Sequence, residues 1–264
     1  MASAPKLGRR APNNIATSSD FDAWVAGRRD LVGVRTSTKF GWIRPALWAW
    51  VAIHRDGLRR ADLTGGPLYW HGEVCNTSIL AKALAVTSAD SLSLLEFSTD
   101  KRPERGRRSR RAGRVDLWAT FGRGNIDVEA KVRYVSAPAR SRPCGSIDRD
   151  LDAALGQVAT YHLSKKERRV GLVFALPLVA RRHWSRSAPE QVGAVRDLLA
   201  HFGLADAAQD TGTGDVPGFV DFAAFYFPRQ WCGRPCLGTE SGGKRRYRYV
   251  GVLLVARCAA VARR

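Results

Sequence analysis

In the stretch NIDVEAKV, strand alternation puts Asp127, Glu129 and Lys131 on one face and Val128, Ala130 and Val132 on the other. The preceding run, GRVDLWATF, gives Arg114, Asp116 and Trp118 a common face by the same rule. Only GRG separates the two runs, a tight-hairpin signal that makes them neighbours and brings Asp116 near Glu129 and Lys131. Two carboxylates a few Å apart repel each other unless a cation lies between them. Hard oxygen donors without His or Cys suit Mg²⁺ or Mn²⁺. A lysine beside such an ion can orient or help deprotonate a water and stabilise charge developing on a phosphate. Composition alone would produce a Glu-x-Lys triplet about 0.2 times in this chain, and one occurs. The competing reading is a surface hairpin with an ordinary Glu/Lys ladder, worth a few tenths of a kcal/mol.

Two further features surround this pair of strands. Gln157 and Tyr161 lie four residues apart in the next segment, so a helix there stacks them on one face. Composition gives that spacing about 0.1 times. An amide and a phenol offer uncharged donors for a phosphate or a base face, the alternative being that both satisfy buried backbone groups. Upstream of Asp116 runs KRPERGRRSRRA, with Arg107, Arg108, Arg110 and Arg111 in its densest part. Such a run reads as a solvated loop or as a grip on phosphates. The whole chain carries 43 Lys+Arg against 24 Asp+Glu, a net charge of +19. Coding bias accounts for Arg outnumbering Lys, but not for that excess of bases over acids. The charge points to a polyanionic partner, nucleic acid before an anionic membrane.

The elements that must carry these residues follow from periodicity. Phe21 to Leu31 and Trp42 to Leu58 read as helices, the second with its Trp cluster as core packing and Pro45 in the first turn. In residues 72–86, Glu73, Thr77, Leu80 and Leu84 share one helical face, so Glu73 lies on the inward side. Residues 91–99, 113–121 and 125–135 read as strands. A helix capped by Ser146 follows to about Leu163, with Asp148 and Asp150 favourable in its first turns. Then come a buried strand at 168–180, an amphipathic helix at 188–202, and closing strands in VDFAAFYF and RYRYVGVLLVA. The order from 72 to 180 is α, β, β, β, α, β, an α/β fold with a mixed central sheet flanked by helices. The domain reading is a flexible basic tail at 1–19, a helical extension at 20–66, and a main domain at 67–264 with its core at 70–180.

Apolar runs fall short of the roughly 18–20 residues of a membrane helix, and the N-terminus lacks the apolar core of a secretory signal. The expectation is a soluble cytoplasmic protein with no membrane partner; protein partners are not readable. Five cysteines, an odd count, argue against a disulfide framework.

The set GRVD, VEAK and QVATY, in this order, resembles the PD-(D/E)xK nuclease superfamily, most closely its RecB-type exonuclease branch. The resemblance spans about residues 70–180 and implies a restriction-endonuclease-like αβββαβ core. It implies that Asp116 and Glu129 bind Mg²⁺ or Mn²⁺, with the Ala130 carbonyl as a further ligand and Lys131 as the catalytic lysine. Gln157 and Tyr161 would position the DNA backbone or brace the site. An additional acid would come from the helix before the sheet, Glu73, with Glu96 on the first strand as its competitor. Val115 stands where the family places a proline. Some members of the branch carry an iron–sulfur staple; Cys75, Cys232, Cys236 and Cys258 imitate its layout but lack the closely spaced trio, so buried free thiols are the better reading. The implied activity is Mg²⁺-dependent, exonuclease-like hydrolysis of DNA phosphodiesters. A sequence-specific restriction-type endonuclease and a non-cleaving DNA-binding protein that keeps the fold are the rival readings.

Overall fold

The run RRVGLVFALPLVA has too little polarity for a half-exposed element, and it becomes the central strand of the molecule. In the computed structural model, which describes residues 15–60, 67–88, 90–101, 111–121, 124–136, 144–160, 167–180, 188–205, 220–229, 238–239 and 246–259, this strand is β5, Glu167–Ala180, with every residue from 170 to 178 buried. Before it come α1 (Ser18–Val25), β1 (Leu31–Thr36), α2 (Arg44–Arg59), α3 (Gly72–Thr87), β2 (Leu92–Lys101), β3 (Arg111–Phe121), β4 (Gly124–Ser136) and α4 (Cys144–Ala159). After it come α5 (Ala188–His201), β6 (Phe222–Phe227), β7 (Gly238–Thr239), β8 (Arg246–Tyr249) and β9 (Val252–Cys258).

Seven strands form one mixed sheet in the order β1-β6-β9-β5-β4-β3-β2, with β8 against β5 and β7 against β8 at its margin. β4 and β5 run parallel, Glu129 opposite Gly171 and Lys131 opposite Val173, while the other pairs are antiparallel. A parallel pair needs a crossover, and α4 supplies it. The α, β, β, β, α, β order read from residues 72–180 is thus the order of α3 through β5.

Apolar side chains fill both faces. On one, Ile126, Val128 and Ala130 of β4 pack with Leu80 and Leu84 of α3 and Trp50 of α2. On the other, Val135 and Val173 pack with Ile147 and Leu151 of α4 and with Val195 and Leu199 of α5. Alternation from Val135 therefore turns Glu129 and Lys131 toward the α4 face. Gly171 allows the helix to come close: an added Cβ would lie 2.8 Å from the Leu155 side chain and 2.9 Å from the Leu151 carbonyl.

Two sequence expectations change in the N-terminal part. The helix expected over Phe21 to Leu31, within a helical extension, ends at Val25, and residues 31–36 form β1, an edge strand antiparallel to β6. LVGVRT is short, and its buried positions do not alternate, because Leu31, Gly33, Val34 and Thr36 are all covered. The segment 20–66 therefore shares a sheet with the C-terminal strands. The stretch read as tail also ends early: Ala16 is 2% exposed and bridges to Ala205, and Thr17 caps α1 through Asp20. The Trp-rich helix packs as expected, with Trp50 fully buried and Trp42 and Trp48 against the core. Among the described residues, no helix is long and apolar enough to cross a membrane.

Candidate active site

Strand β3 is regular until it reaches Asp116. Its pairing with β4 runs from Phe121 opposite Gly124 to Leu117 opposite Val128 and stops there. Its pairing with β2 joins Leu95 to Leu117 and Phe97 to Val115, skipping Glu96 and Asp116. Glu96 sits at φ +52°, in the left-handed region, which a non-glycine residue adopts only against a steric cost. Where the ladder stops, the Asp116 side chain takes over, and its Oδ2 accepts the Ala130 N–H at 2.7 Å.

On β4, Glu129 is 2% exposed and Lys131 is about a third exposed. The Lys131 Nζ donates to Glu129 Oε1 at 2.9 Å. Burial by itself would lower the lysine, but the hydrogen bond and charge of Glu129, then the charges of Glu73 and Asp116, outweigh it and hold the ammonium above its ordinary value. Lys131 is therefore a cation at neutral pH, suited to stabilising negative charge and donating to a water rather than taking a proton from it.

Glu73 reaches the same place from a third element. Thr77, Leu80 and Leu84 on its helical face are all buried, so Glu73 stands at the inward edge of the first turn of α3. Gly72 before it has φ +87° and ψ −166°, a conformation nearly confined to glycine. Fully buried Asn76 ties down this corner, donating from Nδ2 to the carbonyls of Tyr69 at 2.9 Å and Gly72 at 2.7 Å. Burial pushes the Glu73 carboxyl up, and the negative charge of Asp116 adds to the rise; Lys131 opposes it, and Glu129 again adds. Glu73 is thus within electrostatic reach of all three other groups. Glu96, the competitor, is half exposed and pairs with Arg114 at 3.2 Å. Of the two, Glu73 is the one electrostatically coupled to Asp116, Glu129 and Lys131.

Helix α4 is fastened over this face by charges that the sequence reading assigned only to its dipole. Arg133 of β4 holds Asp150 through both nitrogens, at 2.6 and 2.5 Å. Asp148 pairs with Arg257 of β9 and receives His201 Nε2 at 2.8 Å. Ser146, expected as the cap, lies inside the helix, which begins at Cys144. Gln157 is half-buried on the last turn, two turns beyond the Arg133 anchor, and its side-chain amide makes no hydrogen bond among the described residues. Tyr161 lies outside the described residues, as do Arg107, Arg108 and Arg110; Arg111 opens β3. Of the cysteines, Cys232 and Cys236 lie outside the described residues, while Cys75, Cys144 and Cys258 form no disulfide among them.

Carboxylate oxygens are the donors that a hard divalent cation takes. Glu73, Asp116 and Glu129, on three elements, are electrostatically coupled to one lysine, and the repulsion among them, which adds to the rise that burial gives Glu73, is what a divalent ion would relieve. The Ala130 peptide, fully buried, lies beside them through its bond to Asp116. Among the described residues, no three His, Cys, Asp or Glu side chains form a ready-made cage. A comparison of the chain with protein-family models, curated proteins and solved structures finds no match.

Proposed function

We propose that the protein is a metal-dependent deoxyribonuclease of the restriction-endonuclease-like, PD-(D/E)xK type, exonuclease-like in its cutting. The observation that carries this reading is the electrostatic coupling of Glu73, Asp116, Glu129 and Lys131 beside the point where β3 leaves its ladders. The element order and pairing support it: an antiparallel β2-β3-β4 meander joined through α4 to the parallel β5 is the arrangement that the resemblance implies.

Asp116, Glu129 and Glu73 would hold Mg²⁺ or Mn²⁺, with the Ala130 carbonyl as a further ligand. When bound, such an ion supplies Lewis-acid activation of water and neutralisation of phosphate charge. Lys131, kept charged, stabilises the negative charge that grows on the phosphate oxygens as water attacks phosphorus in line. Ala130 N–H holds Asp116 in place, and Arg133 with Asp150 holds α4 so that Gln157 can donate to the strand being cut. The basic loop at 102–111 would bind the DNA backbone without reading sequence.

Linear duplex, closed circular duplex and single-stranded DNA, each incubated with Mg²⁺ or EDTA, test the reading. Mg²⁺-dependent loss of linear DNA with circles spared is the expected result. Cutting of closed circles at fixed positions would replace it with a restriction-type endonuclease. Binding without any cleavage, in Mg²⁺ or Mn²⁺, would replace it with a non-cleaving DNA-binding protein.

A further inference from the structure

A second cationic feature lies near the opposite edge of the sheet. Four strand spacings separate β1 from β4, about 19 Å along the sheet. There the loop after α1, the C-terminal half of α2 and the residues following β6 enclose a cavity of about 500 Å³. Five arginines line it, Arg28, Arg29, Arg55, Arg59 and Arg229, against the single acid Asp30.

The protein's own acids satisfy this cluster only in part. Arg29 pairs with Asp20, and exposed Arg59 pairs with exposed Asp56 at 3.4 Å. Arg55 Nε stands 3.2 Å from Asp30 Oδ2, yet this buried N–H has no aligned hydrogen-bond acceptor. Asp30 also accepts the backbone N–H of Arg229 at 3.0 Å. One carboxylate thus fixes the α2 arginine and the chain after β6 in a shared corner. The side chains of Arg28 and Arg229 make no hydrogen bond or ion pair among the described residues.

The remaining wall is of another kind. Val32, Leu58 and Pro228 supply apolar surface, and Tyr226 lies behind them, 1% exposed. Clustered guanidinium forks match phosphate oxygens in geometry and charge. A chain of two or three phosphates carries about three to four negative charges, close to the excess of the five lining arginines over the one lining aspartate. The volume lies within the range of small-ligand pockets, and an apolar wall beside the cations suits the flat body of a ligand that a bare anion lacks.

We propose that this cavity binds a small oligophosphate of nucleotide size, with Arg28, Arg55, Arg59 and Arg229 on the phosphates. This site is separate from the acid cluster and does not rest on the nuclease reading. Isothermal titration of the full chain with ATP, with inorganic tripolyphosphate and with a 5′-phosphorylated oligonucleotide tests it at about 0.15 M salt, where weak surface attraction is screened. ATP, tripolyphosphate or both should bind, and the Arg28→Ala/Arg229→Ala variant should bind about tenfold or more weakly. Tighter binding of ATP than of tripolyphosphate places the base on the apolar wall; equal binding assigns the site to the phosphate chain alone. Both substituted residues are exposed, and Arg59→Ala serves as a second variant if the first misfolds. Binding unchanged in these variants, no binding of either small ligand, or binding of the oligonucleotide alone would overturn the proposal.

Discussion

Removing the Lys131 ammonium should expose how far the acid cluster depends on a cation. In Lys131→Ala, Glu129, 2% exposed in the native protein, loses the lysine donor at 2.9 Å. Glu73 and Asp116 then face it without the lysine's charge. Breaking a buried pair by deleting one partner costs about 3–5 kcal/mol. Lys131 is about a third exposed, so water screens part of this, and about 2 kcal/mol is the expected loss. A divalent ion at about a hundred times its dissociation constant contributes roughly 2.7 kcal/mol to the native state, enough to offset that loss. Urea denaturation should therefore show the variant's midpoint lowered by about 1 M in EDTA, with most of it recovered in Mg²⁺. Cleavage should stay depressed on the order of 10²-fold even in Mg²⁺, because the stabilisation of phosphate charge is not restored. A variant as stable as wild type in EDTA and unresponsive to Mg²⁺ would refute the electrostatic coupling. Undiminished cleavage would refute the chemical role.

Gly171→Ala puts a Cβ 2.8 Å from Leu155 and should lower stability by about 1–3 kcal/mol; because Gly171 pairs with Glu129, cleavage should fall with it, and an unchanged melting temperature would contradict the close approach of α4. Gly72→Ala meets no atom within 4 Å, so its cost is backbone strain alone, about 1–3 kcal/mol by thermal melting, and a neutral result would count against that conformation. His54, 1% exposed against the Trp50 and Tyr69 rings and with neither ring nitrogen hydrogen-bonded among the described residues, is lowered by burial from 6.5 to about 3. Between those values only the unfolded chain binds the proton, so stability falls with pH by up to about 1.4 kcal/mol per unit. His54→Phe should abolish that slope and gain about 2 kcal/mol relative to wild type between pH 6.5 and 4.5. Parallel urea profiles would rule this out.

The readable parts of the molecule were those in which period and chemistry coincide. Glu73, Thr77, Leu80 and Leu84 mark one buried face of α3, and the alternation around Glu129 and Lys131 marks β4. β1 was missed because the four buried residues of LVGVRT, Leu31, Gly33, Val34 and Thr36, follow no two-residue period. Asp148 and Asp150 fit a helix N-terminus on sequence grounds alone. Their partners Arg133, His201 and Arg257 lie too far along the chain for local pattern to pair them. That Glu73 rather than Glu96 lies within electrostatic reach of Asp116 also needed three dimensions. Both are isolated glutamates in sequence, and only packing sets one beside Asp116 while the other turns to Arg114.

The break in β3 makes Asp116 a structural residue as well as a candidate ligand, and the two roles can be separated. A regular antiparallel ladder would hold β3 and β4 together by backbone bonds, but the pairing ends at Leu117 and Val128. The next contact is Asp116 Oδ2 with the Ala130 N–H, in a residue that is fully buried. Asp116→Ala deletes the acceptor and leaves a buried donor unpaired, which costs about 1–3 kcal/mol. Asp116→Asn keeps an amide oxygen at the same position and loses only the charge, so the fold should be nearly unaffected. Both variants remove a carboxylate from the cluster, and both should lose cleavage by on the order of 10²-fold or more. Thermal melting should therefore distinguish the pair while cleavage assays do not. Equal stability of the two variants would show that Ala130 finds another partner. Substantial activity in Asp116→Asn would remove Asp116 from the reaction.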